Sequence, residues 1–306
     1  MRASLTTTLV AQAGDPDFVF LTGDVGFMAL DPLRDAAQKN DRFINAGVAE
    51  QNMISVAAGL ACAGFRPWVY SIAPFLYARA FEQIRNDVCL HKLPVFLVGN
   101  GGGYGYGVMG PTHHALEDYG ALLGLPNLSV YIPAFAADVS GTVTRMVAAA
   151  GPAYLRLGRD ETPGDFVPPA WAPWRRLLSG RTATIVVVGP LAGGILALSR
   201  HLPESQRPSV WALAELPVRS TEIPAALVDD FQGSGHLLVV EEHVAHGGAG
   251  VSLAHAFATA GIIGPRRFSH RFALGYPTGR YGSQDYHRRE SGLDPSAILR
   301  LATTHS

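Results

Sequence analysis

The feature that most constrains this chain is an alternation of short apolar runs with helical stretches. Runs of β-branched or aromatic residues recur at FVFL (18–21), RFIN (42–45), WVY (68–70), VFLV (95–98), SVYI (129–132) and YLRL (154–157). Strands separated by crossover helices pair in parallel and need cover on both faces, so the pattern predicts an α/β architecture with a mainly parallel sheet. The stretch DETPGDFVPPAWAPWRRLLSGR (160–181), broken by Pro163, Pro168, Pro169 and Pro173, follows neither period and reads as a linker. A second alternation follows at TIVVV (184–188), SVWAL (209–213), HLLVVEE (236–242) and RFSHRFAL (267–274). The expected organisation is one α/β domain over 1–160, a linker over 161–180 and a second α/β domain over 181–306. The 306 residues suffice for two cores.

Charged residues make up only 16% of the chain, against about 25% in an average soluble protein, which points to a surface partly hidden between subunits. The net charge of −1 gives no footprint for nucleic acid or an anionic membrane. The run TATIVVVGPLAGGILALS (182–199) has the length of a membrane span, but Gly189, Pro190, Gly193 and Gly194 divide it into strand, turn and helix. The start, MRASLTTTLVAQAGDPD, lacks the apolar core of a secretory signal, and Cys62 and Cys89 read as buried thiols in apolar helices. A cytoplasmic protein acting on small molecules is expected.

One acid stands out. In NAGVAEQNM (45–53) the strand-like RFIN gives way to an alanine-rich helix, and Glu50, Met53, Ala57 and Leu60 fall on one stripe at helical spacing. A first-turn Glu that merely complements the helix dipole contributes about 0.3–1 kcal/mol and usually faces water. On an apolar stripe a carboxylate needs a partner.

Several ordered motifs carry a family resemblance: RFINAGVAEQNMISVAAGLACAGFRPWVYS, FLYARAFEQIRNDV, GPTHHALEDYGALLGLPNLSVYIPA, HLLVVEEHVAHGGAGVSLAHAFA and GSQDYHRRESGLDPSAIL. Together they resemble the carboxyl-terminal half of transketolases and of 1-deoxyxylulose 5-phosphate synthase, and above all transketolases split into two polypeptides. The resemblance implies thiamine diphosphate as cofactor, with Glu50 hydrogen-bonding the pyrimidine ring nitrogen. It implies that Phe75 and Phe81 pack on that ring, that Asp24 lies near the cofactor, that His113 moves protons on substrate hydroxyls, and that Arg159 meets a substrate phosphate. His114 replaces the family's usual glutamine.

The family holds the diphosphate through Mg²⁺ with a Gly-Asp-Gly motif and a trailing asparagine, whereas this chain has Gly-Asp-Val at 23–25. The resemblance therefore implies that the metal ligands come from a partner, an amino-terminal transketolase subunit carrying the diphosphate domain, in a heterotetramer. The expected activity is transfer of a two-carbon ketol unit. The alternatives are the beta subunit of a 2-oxo acid dehydrogenase, which GVAEQN and GPTHH disfavour, and a noncatalytic stabilising subunit. A third, a dinucleotide-binding oxidoreductase, rests on Gly-Tyr-Gly-Val-Met-Gly (105–110), where Pro111 and the histidines follow too soon for a crossover helix. One departure bears on substrate. The family usually places an Asp just before Gly-Pro-Thr-His to bond a substrate hydroxyl; here Val108 and Met109 stand there, and a phosphate-holding histidine aligns with Gly101. That implies either a modified, less polar sugar or a shifted glycine-rich loop in which another residue makes the contact.

Overall fold

The structure is a computed structural model that describes residues 1–262 and 267–303. Among them twelve strands run in chain order: β1 (Phe18–Thr22), β2 (Phe43–Asn45), β3 (Arg66–Ile72), β4 (Phe96–Asn100), β5 (Ser129–Tyr131), β6 (Ala153–Leu157), β7 (Trp174–Leu178), β8 (Thr184–Val188), β9 (Ser209–Leu213), β10 (Glu215–Leu216), β11 (His236–Val240) and β12 (Arg267–Arg271). They form a seven-stranded sheet in the order β10-β5-β6-β4-β3-β1-β2 and a five-stranded sheet in the order β12-β11-β8-β9-β7. Each sheet is parallel except at one edge, where β10 runs antiparallel to β5 and β7 antiparallel to β9. Every residue of β1, β4, β6, β8, β9 and β11 is buried. Strands covered by helices on both faces select such uninterrupted apolar runs. The fold is the expected α/β one with helix-flanked, mainly parallel sheets.

Within the stretch read as a linker, residues 174–178 instead form β7, an edge strand of the second sheet. The apolar alternation is hidden because an inward position holds a charge. Arg175 is buried and makes a two-pronged contact with Asp138, at 2.7 and 2.6 Å. Asp138 Oδ2 also accepts from the backbone N–H groups of Ala134 and Phe135, so both charges are compensated inside the protein. The neighbouring Arg176 points outward to Asp230 at 2.9 Å and lies over Trp211. Because this pair is partly solvated, Arg176→Ala is expected to cost only about 0.5–1 kcal/mol, read as a small fall in Tm.

Cys62 corrects another expectation. It ends its helix exposed, whereas Cys89 is buried, and burial pushes the Cys89 thiol pKa up to about 12. No helix among the described residues is long and apolar enough to cross a membrane.

Candidate active site

Parallel strands deliver their carboxyl ends to one edge of the sheet, where loops can gather side chains from neighbouring strands. In the order β2-β1-β3-β4-β6, that edge presents Asn45, Asp24, the Phe75 turn, the loop from Asn100 to His114, and Arg159.

After β2 the chain turns at Gly47 (φ +70°), whose N–H donates to Asn45 Oδ1, and enters the helix Glu50–Cys62. This helix buries Glu50, Met53, Ile54, Ala57, Ala58 and Ala61, so the carboxylate does lie on the apolar face. Glu50 is 5% exposed and accepts a hydrogen bond from Arg79 Nη1 at 3.0 Å. Arg79 sits one helical turn beyond Phe75, and its guanidinium carbon lies 3.9 Å from the Phe75 ring centroid. Val48, Ala49, Glu50, Gln51, Asn52 and Arg79 line an open hollow of about 550 Å³.

Phe75 meets the His113 ring edge-on at 5.1 Å, and His113 in turn lies 6.3 Å from Tyr106. The Tyr106 hydroxyl accepts a hydrogen bond from Asn100 Nδ2 at 2.6 Å. Glu50, Arg79, Phe75, His113, Tyr106 and Asn100 thus form one continuous row. Thr112 Oγ1 engages His113 Nδ1 at 3.0 Å. His114 is buried instead, with Nε2 on the Gly107 carbonyl and its ring edge-on to Tyr104. Burial lowers its pKa.

The loop that carries Tyr106 and His113 is pinned by long-range hydrogen bonds. Glu242 Oε1 accepts from the Tyr104 N–H at 2.7 Å and from Gln284 Nε2 at 2.9 Å, while Oε2 accepts from Arg288 Nε at 2.7 Å. Arg156, buried against Asp118, donates to the carbonyls of Ala115 and Glu242. Gly103 (φ +66°) passes so close to Glu242 that a side chain would collide with its carboxylate. At Gly101 (φ +78°) a side chain would strike the Tyr106 ring, so the tyrosine fills the space into which a histidine there would project. The glycines lead into two short 3₁₀ turns, Gly107–Met109 and Pro111–His113, and the next α-helix begins only at Asp118. They therefore offer no helix N-terminus to a pyrophosphate, which removes the dinucleotide alternative.

The remaining candidates lie around this row. Arg159 is half-exposed between Asp285 (2.7 Å) and Glu161 (3.3 Å). It shares a cavity of about 490 Å³ with Asn100, Gly101, Tyr106, Val108 and Gln284. Val108 and Met109 are exposed, at 69% and 50%. Asp24 exchanges hydrogen bonds with Asn45, its N–H donating to Oδ1 and its carboxylate accepting from Nδ2. It borders a separate cavity of about 200 Å³ beside Phe27 and Phe43. Phe81 packs against the core cluster that holds Met53 and Ala57. Sequence reasoning missed Arg79, Asn100, Tyr106 and Glu242. Only Arg79 had a local signal, its helical i, i+4 spacing from Phe75.

Fold and site define an α/β protein with its polar groups gathered at the carboxyl edge of one mainly parallel sheet and held there by Glu242, Gln284 and Arg288 from the later part of the chain. The chain belongs to the transketolase family: residues 2–164 match the family described as transketolase, pyrimidine binding domain. It is 30% identical over 272 residues to one of the subunits of the apulose-4-phosphate transketolase of Actinobacillus succinogenes, covering 86% of this chain and 84% of that one. It is 31% identical to the 1-deoxy-D-xylulose-5-phosphate synthase of Myxococcus xanthus, covering 95% of this chain but 49% of that protein, so it spans about half of that relative. Among solved structures, a split gene transketolase described as an inactive beta4 tetramer superposes with a TM-score of 0.81 at 28% identity, covering 98% of this chain and 96% of that one. The transketolase of Campylobacter jejuni shares the fold, with a TM-score of 0.74 at 16% identity.

Proposed function

We propose that this chain is the pyrimidine-binding subunit of a thiamine diphosphate-dependent, transketolase-like enzyme that transfers a two-carbon ketol unit. A second polypeptide supplies the diphosphate and Mg²⁺ ligands. In this reading residues 1–160 are the pyrimidine-binding domain and 181–306 the carboxyl-terminal domain. The observation that carries it is Glu50: a carboxylate 5% exposed that lines an open hollow, with a half-exposed arginine as partner whose guanidinium lies over the Phe75 ring. Those features fit an aminopyrimidine, which needs a carboxylate for its ring nitrogen and a flat apolar neighbour. When bound, the cofactor would supply an electron sink for carbon–carbon bond cleavage.

The chain's own groups then take distinct roles. Glu50 holds the pyrimidine nitrogen, and burial keeps water from competing for it. Phe75 flanks the ring; Phe81 supports from the core and Asp24 from the β1–β2 edge. His113, with Nδ1 engaged by Thr112, has Nε2 left to move protons on a substrate hydroxyl. Arg159 receives a substrate phosphate at the mouth of the neighbouring cavity. Val108 and Met109 present apolar side chains where an Asp would bond a hydroxyl, which supports a modified sugar as substrate. Two relatives, each a subunit of an apulose-4-phosphate transketolase, support a sugar phosphate outside the common pentoses.

The test is reconstitution with the polypeptide that carries the Gly-Asp-Gly motif. Neither chain alone should turn over ketose phosphates, and the mixture should. Met109→Asp should then shift preference toward xylulose 5-phosphate and ribose 5-phosphate, since an unpaired buried hydroxyl costs about 1–3 kcal/mol. Robust turnover by this chain alone would refute the two-chain reading. Rapid use of ordinary pentose phosphates without the Asp would refute the modified-substrate reading only.

A further inference from the structure

Arg79 stands between Glu50 and Phe75 in the row and has no part in the chemistry above. Its guanidinium makes two contacts at once: Nη1 donates to Glu50 Oε1 at 3.0 Å, and the guanidinium carbon lies 3.9 Å from the Phe75 ring centroid. A guanidinium is flat, delocalised and cationic, with N–H donors in its plane and π faces above and below. A protonated aminopyrimidine has the same properties. The two surfaces that such a ring would need, the buried carboxylate and the aromatic face, are thus already taken by a group that resembles it.

We propose that Arg79 is an internal stand-in for the aminopyrimidine ring, holding Glu50 and Phe75 until the cofactor enters and swinging aside as it does. The proposal rests on the thiamine diphosphate reading of this site. Exposure separates Arg79 from the structural arginines. Its side chain is 47% exposed, whereas those of Arg156, Arg175 and Arg288 are 3–5% exposed. Each of these three is also fixed by more than one partner. A side chain that is half in water can leave and be rehydrated at little cost, whereas a fully buried guanidinium cannot. While it stays, the buried Glu50 carboxylate is never unpaired. Its presence also makes the cofactor compete for the site, weakening apparent affinity by the fraction of molecules in which the site is free.

The test titrates thiamine diphosphate with MgCl₂ into the reconstituted complex containing the unaltered chain, Arg79→Ala or Arg79→Lys, read by calorimetry. A half-exposed ion pair and stack of this kind predict that Arg79→Ala lowers Kd by about 5- to 10-fold. Arg79→Lys should fall between, because an ammonium pairs with Glu50 but offers no flat face to Phe75. The Ala variant should also lower the Tm of the cofactor-free complex while leaving that of the loaded complex unchanged. A Kd for Arg79→Ala equal to or higher than that of the unaltered complex would overturn the stand-in, since a residue that orients Glu50 in the loaded site weakens binding when removed. If the assembled complex binds no cofactor with or without Arg79, the thiamine diphosphate reading fails, and the stand-in fails with it.

Discussion

Glu50→Gln in the assembled enzyme should lower ketol transfer by about 10²- to 10⁴-fold while the two chains still associate. Glutamine keeps the size of the side chain and an acceptor oxygen for Arg79, so the helix Glu50–Cys62 and its packing should survive. It cannot carry the negative charge or share a proton with a ring nitrogen, which is the role proposed for this carboxylate, buried on an otherwise apolar stripe. Steady-state rates at saturating cofactor, beside gel filtration of the complex, separate lost chemistry from lost assembly. A variant that assembles and keeps its rate would remove Glu50 from the mechanism.

Glu242→Ala should act on the same site from the end of β11, in the second sheet. Its carboxylate joins Tyr104, Gln284 and Arg288, and removing it leaves the 5%-exposed Arg288 with Glu161 and, at 3.9 Å, Asp285. Breaking one side of a buried ion pair costs about 3–5 kcal/mol, which for a chain of this size lowers Tm on the order of 10 °C. Because the lost acceptor also anchors the Tyr104 N–H, the loop bearing Tyr106 and His113 should be cut faster by protease, and activity should fall further than stability alone explains. Glu242→Gln retains an acceptor for Tyr104 and should recover part of the loop order. A Tm within about 2 °C of the unaltered protein would show that the Glu242 clamp contributes little.

The sheet was legible because most strands carry uninterrupted β-branched or aromatic runs, as parallel strands buried on both faces require. β7 was not, since its inward Arg175 is apolar in effect only through Asp138, which lies on a distant helix. β10 was missed because two residues, Glu215 and Leu216, are too few to show a period. Glu50 could be singled out as an acid on an apolar stripe, a local signal. What it touches could not be read, because the partnership with Arg79 depends on how two helices pack. The loop from Gly101 to Gly110 reads as flexible when its glycines are counted. In the fold those glycines let the chain pass close to Glu242 and Tyr106, and long-range acceptors then fix it. Cys62 looked buried because its helix is apolar, but it falls in the last turn on the outward side.

In the proposed enzyme this chain builds one half of a cofactor site which a second chain completes. Calorimetric titration of thiamine diphosphate with MgCl₂ tests that claim most directly, first into this chain alone and then into its equimolar mixture with the polypeptide carrying the Gly-Asp-Gly motif. The expected result is saturable binding in the mixture, at one cofactor per pair of chains, and no saturable binding to this chain over the same range. Tight one-to-one binding to this chain by itself, undiminished by its partner's absence, would contradict it.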